Sequence, residues 1–355
     1  MSIHFRPDYA ACRDYFLDLA AASGGALQRV TNPATGPGGL DLSTEFLRLG
    51  PKDAGQAMII VSGTHGAEGF AGSAIQCAWL ASRPALPEGL AVLLVHGLNP
   101  FGFAHLRRVN ENNVDLNRNF IDHEADHPEN DGYGKIGDAM AAKDLAGPGR
   151  AAADKAMDRL MKEMGQLNVM RAIGGQYDAP EGMFYGGRMP VWSNRALREY
   201  LPQLLPAVKR AAYVDIHTGL GPSGHGSRYC YHRKDTGEYD LARKWWGQKI
   251  TAAATTINHG KTGHGAMEAL SPALVVCLTL EFGTLPFDDV LAALRDEHAL
   301  WWHGGGSDRG HGGGGGTVKE SFKAAFCRED RAWRDRIVEQ GLEIAADTLA
   351  GLAAG

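Results

Sequence analysis

The sequence predicts an α/β protein with a mixed, mainly parallel sheet and helices on both faces. Three observations carry this expectation. Short apolar runs without alternation mark strands buried on both sides. Segments of helical spacing separate the runs. Each run ends in a polar or glycine-containing stretch, the punctuation of a loop.

The elements follow in order. Residues 8–23, from Asp8 to Ser23, have apolar residues at helical spacing. Ala57-Met58-Ile59-Ile60-Val61 is a buried strand that stops at Ser62-Gly63-Thr64, and a helix is expected over 70–82. Ala91-Val92-Leu93-Leu94-Val95 is a second strand, ended by Gly97 and Asn99-Pro100. From about 122 to 190 the character changes to acidic, Gly-rich and Ala-rich pieces, with a helix from Ala151 to Met164. This stretch reads as an insertion or lid-like region within one domain spanning 1–355. Residues 211–216 form a third strand, 238–257 a helix, and 274–280 a fourth strand. Helices are expected over 288–302 and 329–353. The glycine-rich stretch 304–316 between them reads as a flexible surface loop, because glycine loses the most backbone entropy on ordering.

The chain has 355 residues, of which 44% are hydrophobic and 22% charged, with a formal net charge of -5. A nucleic-acid or membrane-surface partner would call for a basic face, and the charge argues against one. The five cysteines are scattered and contain no C-x-x-C pair. That pattern fits reduced thiols in a cytoplasmic protein. The N-terminus shows no apolar signal-peptide core, and no stretch reaches the roughly 18 apolar residues of a membrane span.

Four polar clusters stand at or just beyond strand ends, the edge where open α/β sheets build sites. In Gly63-Thr64-His65-Gly66-Ala67-Glu68-Gly69, one tight turn brings His65 and Glu68 to one point, and imidazole with carboxylate suits zinc. Asp115-Leu116-Asn117-Arg118-Asn119, preceded by Arg107-Arg108, offers a guanidinium fork for a substrate carboxylate. Asp115 could also orient a ligand histidine. In Asp215-Ile216-His217-Thr218-Gly219, a strand-end histidine can project into a cleft. Glu281 directly follows seven largely apolar residues, a setting that tunes a carboxyl for general-base work. Taken singly, these clusters also read as a polar turn, a capped turn with solvated arginines, a core histidine and a surface glutamate. Together, two histidines and one carboxylate leave a fourth position open, the arrangement of a catalytic zinc site. Such a metal acidifies its water, and a nearby glutamate takes the proton. No H-E-x-x-H helix is present, which excludes a thermolysin-type protease.

The order His65-x-x-Glu68, Asp115-x-Asn117-Arg118-Asn119, Asp215-Ile216-His217-Thr218, Glu281 resembles the zinc carboxypeptidase superfamily, peptidase family M14. That superfamily includes the aspartoacylase and succinylglutamate desuccinylase enzymes. Within it, the chain is most similar to the DUF2817 branch, and the resemblance spans roughly residues 55–285. It implies a carboxypeptidase-like fold and one zinc ion per chain, held by His65, Glu68 and His217. Glu281 is then the general base and the acid to the leaving amine. Asn117 and Arg118 hold a substrate carboxylate, and Asp115 orients His65. An upstream arginine, Arg108 or else Arg107, stabilises the oxyanion.

Two departures stand beside the resemblance. Carboxypeptidases carry a mobile tyrosine between the third ligand and the catalytic glutamate, whereas residues 240–280 here contain none. Tyr229, Tyr231 and Tyr239 fall in the interval without matching. Gly263-His264-Gly265 lies in the expected loop, and Tyr185 is a further candidate to reach the substrate. The chain also ends in helices, with no strand-rich tail of the aspartoacylase kind. The expected activity is zinc-dependent hydrolysis of an amide bond next to a free carboxylate, in a peptide or an N-acyl amino acid. A deacylase of small N-acyl amino acids and a non-catalytic metal-binding module are the alternatives.

Overall fold

A computed structural model describes residues 1–252, 259–303 and 315–354. The chain opens with α1 (Tyr9–Ser23), β1 (Ala26–Thr35), β2 (Asp41–Leu49) and β3 (Gln56–Val61). It continues with α2 (Gly69–Ser82), β4 (Leu90–His96) and two short helices, α3 (Pro100–Ala104) and α4 (Leu116–Asn119). Four more helices follow: α5 (Asp131–Met140), α6 (Pro148–Met164), α7 (Gln166–Ala172) and α8 (Trp192–Leu204). Then come β5 (Arg210–Ser223), β6 (Gly226–Cys230), α9 (Gly237–Trp246), α10 (Thr262–Ala269) and β7 (Leu274–Gly283). The chain closes with α11 (Phe287–His303), α12 (Gly315–Phe326) and α13 (Arg331–Ala353).

One seven-stranded sheet runs in the order β1-β2-β4-β3-β5-β7-β6. Its centre, β4-β3-β5-β7, is parallel. The flanking pairs β1–β2, β2–β4 and β6–β7 are antiparallel. The central strands read as unbroken apolar runs because both their faces are covered. Met58, Ile60, Val214 and Leu278 face a core shared with α1, α2, α9 and α13. Ile59, Val61, Tyr213 and Cys277 face a second core, closed by α8 and α10. The chain leaves β3 for β4 on one side and later returns to β5 on the other. The sheet order therefore reverses about β3, the position at which open α/β sheets place their sites.

Three strands lie outside the predicted set. The exposed edge strand β1 carries Pro33 and has no apolar run, as an edge strand tolerates. The interior of β2 is polar, with Ser43, Thr44 and Glu45 buried. Glu45 Oε1 accepts from Ser43 Oγ at 2.5 Å, and Glu45 Oε2 lies 3.3 Å from His96 Nδ1. β6 is short. The helix expected over 238–257 ends at Trp246. Beyond it Thr251 bridges to Tyr229, and Cys230 N–H donates to the Thr251 carbonyl at 2.8 Å. Residues 253–258 lie outside the described residues. So does the glycine-rich stretch, except for Gly315 and Gly316, which open α12, a helix not expected from the sequence. In α12, Phe322 and Phe326 join Tyr133, Met140 and Val169 of α5 and α7 in a third core.

No helix among the described residues is long and apolar enough to cross a membrane. All five cysteines are free and buried.

α11 and α12 are tied to the segment after α3 by a buried charge cluster. Arg107 Nε donates to Glu297 Oε1 at 2.8 Å, and Lys319 Nζ donates to the same oxygen at 2.7 Å. The Arg107 guanidinium also stacks on Trp301, 4.0 Å from the ring centroid. Burial opposes the charge on Glu297, but Arg107 and Lys319 overcome it and hold the carboxyl below its ordinary value. Glu297→Ala leaves two cations buried without their shared acceptor. The expected loss is about 3–5 kcal/mol of unfolding free energy, read by urea denaturation followed by circular dichroism.

Candidate metal centre

The site begins in the loop from β3 to α2. This loop is strapped to the segment after β4: Gly66 and Ala67 N–H groups donate to the carbonyls of Arg108 and Arg107 at 3.3 and 3.0 Å. The approach is so close that a Cβ on Gly66 would lie 1.9 Å from the Gly102 carbonyl carbon. Glycine is needed at 66 for this contact. The turn brings His65 Nδ1 to 2.9 Å from Glu68 Oε1.

β5 supplies the second half. Asp215 and His217 are two residues apart on a strand, so both side chains leave on the face of Tyr213. His217 Nδ1 lies 2.8 Å from Glu68 Oε2 and 3.1 Å from His65 Nδ1. The candidate ligand atoms of His65, Glu68 and His217 all lie within 4.8 Å of one another. The pairing of β5 with β7 sets His217 beside Glu281.

Each histidine is braced from behind. His65 Nε2 lies 3.1 Å from Asp115 Oδ1, and His217 Nε2 lies 2.9 Å from Asp215 Oδ2. An aspartate behind each ring takes the outer N–H and turns the inner nitrogen's lone pair toward Glu68. Two imidazole nitrogens and two carboxylate oxygens then converge, a donor set that holds a proton or a metal cation. Two donors on a tetrahedral zinc ion lie about 3.3 Å apart for bonds of 2.0–2.1 Å, which matches the facing nitrogens. The residues present therefore fit a zinc ion.

The charges follow from this packing. Burial opposes ionisation of Glu68, yet His65 and His217 outweigh it and lower its pKa. Burial likewise opposes the charged form of His217, and Asp215 and Glu68 raise its pKa well above the ordinary value. Asp115 is held well below the carboxylate range against burial, by Arg108, Arg118 and His65. Glu281 goes the other way: burial and the charge of Glu68 push its carboxyl up to about 6. Its Oε1 accepts from Leu220 N–H at 3.0 Å.

The two candidate arginines separate. Arg108 Nε donates to Asp115 Oδ2 at 3.0 Å, and its Nη1 lies 3.5 Å from Glu68 Oε1. Its side chain keeps 17% exposure, enough to face a ligand. Arg107, the alternative, is committed to Glu297. Arg118 Nη1 donates to the Asn117 carbonyl at 2.8 Å, while its buried Nε has no hydrogen-bond partner. Asn117 is part of the wall: its Nδ2 lies 3.2 Å from His217 Nε2, and its Oδ1 accepts from Thr262 N–H at 3.1 Å. Tyr185 contributes its main chain, as its carbonyl accepts from Asp115 N–H at 2.8 Å. Its side chain joins the core cluster that α8 and α10 close. Its neighbour Phe184 instead lies 5.4 Å below the Arg108 guanidinium. His264 packs edge-on to Tyr231, ring centroids 5.5 Å apart.

Sequence reading gave Asp215 no role, although its D-x-H spacing on a strand signals a brace. Asp215 is itself held by Thr64 Oγ1 at 2.8 Å and Thr262 Oγ1 at 2.7 Å. Thr262 carried no local signal, because the fold brings it across from α10.

Fold and site together describe an α/β protein with a buried His-Glu-His cluster at the carboxyl edge of its sheet. The chain belongs to the family described as "Protein of unknown function (DUF2817)", which matches residues 5–340. No curated protein matches it. Among solved structures, it is similar to bovine thrombin-activatable fibrinolysis inhibitor in complex with tick carboxypeptidase inhibitor. The identity is 13%, with 96% of this chain and 98% of that one covered and a TM-score of 0.46. Thrombin-activatable fibrinolysis inhibitor by itself aligns at 11% identity over 98% of this chain and 74% of that one, with a TM-score of 0.49. The succinylglutamate desuccinylase of Chromobacterium violaceum aligns at 13% identity over 80% and 71%, with a TM-score of 0.37.

Gly66→Ala tests the packing of the ligand turn. The methyl group meets backbone atoms that cannot step aside, so a stability loss of about 1–3 kcal/mol is expected. Gly55→Ala, where a Cβ meets nothing within 4 Å, serves as the control that leaves the melting temperature unchanged.

Proposed function

We propose that this protein is a zinc-dependent hydrolase that cleaves an amide bond next to a free carboxylate, acting on short peptides from the C-terminus. The observation that carries the proposal is the cluster of His65, Glu68 and His217, braced by Asp115 and Asp215 and flanked by Glu281. A zinc ion on these three residues supplies Lewis acidity to a scissile carbonyl and to water.

The chain's own groups divide the remaining work. Arg118, whose buried Nε has no partner, binds the substrate carboxylate. Arg108, oriented by Asp115, donates to the oxygen that gains charge as the carbonyl is attacked. Glu281 accepts a proton from water and returns it to the leaving amine. The segment 176–187 serves as a wall that restricts the pocket to short substrates. It is pinned where Asn113 Nδ2 donates to the carbonyls of Pro180 and Gly182 at 2.9 and 3.0 Å, and where Tyr177 Oη donates to the Arg118 carbonyl at 2.6 Å. A small N-acyl amino acid presents the same carboxylate and amide. A panel of C-terminal peptides and N-acyl amino acids decides between them by kcat/KM.

Purified protein is expected to carry about one zinc per chain by elemental analysis. Glu281→Gln keeps that metal while kcat falls by about 10²–10⁴-fold. Full turnover in this variant removes Glu281 from the chemistry. The base must be ionised, so kcat/KM falls as pH drops through the Glu281 pKa. Ligation draws on the Glu68 charge that helps hold this carboxyl at about 6, so the acid limb is expected below that value.

Asp215→Ala removes the acceptor behind His217. Zinc affinity is expected to drop about 10–100-fold, measured by competition with a chromogenic chelator. Unchanged affinity argues against Asp215 as the brace.

A further inference from the structure

A second cation stands beside Arg118 that the proposed chemistry does not use. Lys261 is clamped at the site by its neighbours on both sides. Phe120 N–H donates to the Gly260 carbonyl at 3.0 Å, Thr262 N–H donates to Asn117 Oδ1 at 3.1 Å, and Thr262 Oγ1 donates to Asp215 Oδ2 at 2.7 Å. The two segments touch so closely that a Cβ on Gly260 would lie 2.4 Å from the Arg118 carbonyl oxygen. The Lys261 ammonium lies 4.7 Å from the centroid of the buried Tyr231 ring. Among the described residues it has no carboxylate at ion-pair distance and no hydrogen-bond acceptor.

Lys261 and Arg118 repel each other; Asp215 and Glu281 offset this for Lys261 only in part, and Asp115 faces Arg118. Burial, and then the charge of Arg118, lower the Lys261 pKa to about 8. Such a pair is stabilised when an anion enters between or beside it, since charge-assisted hydrogen bonds are strongest where water is excluded. A surface lysine would be solvated instead. Gly260 and Thr262, on either side of Lys261, contact Arg118 and Asn117 and set the Lys261 backbone beside them.

We infer that Lys261 is a specificity-determining residue that binds a second carboxylate of the substrate, so that the preferred substrates end in an acidic residue, glutamate or aspartate. This rests on the proposed function for the first carboxylate, which Arg118 takes. The terminal residue then offers its main-chain carboxylate to Arg118 and its side-chain carboxylate to Lys261.

The test compares ligands that differ in charge alone. L-Glutamate and L-glutamine are titrated calorimetrically into the zinc-loaded protein, and N-acyl dipeptides ending in either residue are compared by kcat/KM. The wild type is expected to favour glutamate about tenfold or more in both assays. Lys261→Met, with Lys261→Gln as a second variant, removes the preference while leaving glutamine within about threefold. Lys261→Arg keeps it. Equal binding of glutamate and glutamine by the wild type overturns the inference. So does an equal loss for both ligands in Lys261→Met, which means Lys261 shares the first carboxylate. Glutamate binding that depends on Lys261, with no amide cleaved, upholds this inference and defeats the proposed hydrolysis. Cleavage with no preference for an acidic end does the reverse.

Discussion

Glu68, Asp115 and Asp215 lie buried within reach of two imidazoles, and much of the surrounding structure answers to that concentration of charge. Removing a carboxylate from water is costly unless donors replace the lost hydration. Here each set of replacements comes from a different part of the chain. Asp115 receives Arg108 and the Asn117 N–H. Asp215 receives the hydroxyls of Thr64 and Thr262. Glu68 receives the Thr218 N–H and faces both histidines. The loop after β3, the turn before α4, the middle of β5 and the start of α10 are held together because each supplies a donor or an acceptor to the others.

The sheet decides where this can happen. Its central strands are covered on both faces, so their interiors are mostly apolar. The polar groups of the site lie beyond the end of β3, within the middle of β5 and near the end of β7. The strand order reverses about β3, and the candidate ligands gather beside that point. Glu281 shows how sensitive the chemistry is to position. It is one strand away from Asp215 yet lacks a comparable set of donors. It is half-buried, faces the charge of Glu68 and is pushed up rather than down. Neighbouring carboxylates in one sheet thus acquire opposite tendencies from their surroundings.

The glycine at 66 and the arginine at 107 illustrate two kinds of support. Gly66 is required by the approach of another backbone. Arg107, adjacent in sequence to the residue facing the site, points into a separate charge cluster with Glu297 and Lys319. Adjacent residues of the same type therefore do different work, and only their partners distinguish them.

The sequence by itself determined the α/β class, the four central strands and the residues that stand at their ends. This was possible because burial on both faces writes an unbroken apolar run, and because His65-x-x-Glu68 brings its pair together through local geometry alone. It left β1, β2 and β6 unseen, since an exposed edge, a polar interior and a short strand carry no such run. It also carried the expected helix past Trp246. The tertiary structure alone decided the different partners of Arg107 and Arg108, the bracing of Asp215 by Thr64 and Thr262, and the setting of the Lys261 backbone beside Arg118. Among them, Thr262–Asp215, Thr64–Asp215 and Arg107–Glu297 join residues 47, 151 and 190 positions apart. No local spacing encodes a contact of that separation; it exists once β3, β5 and β7 pair in register.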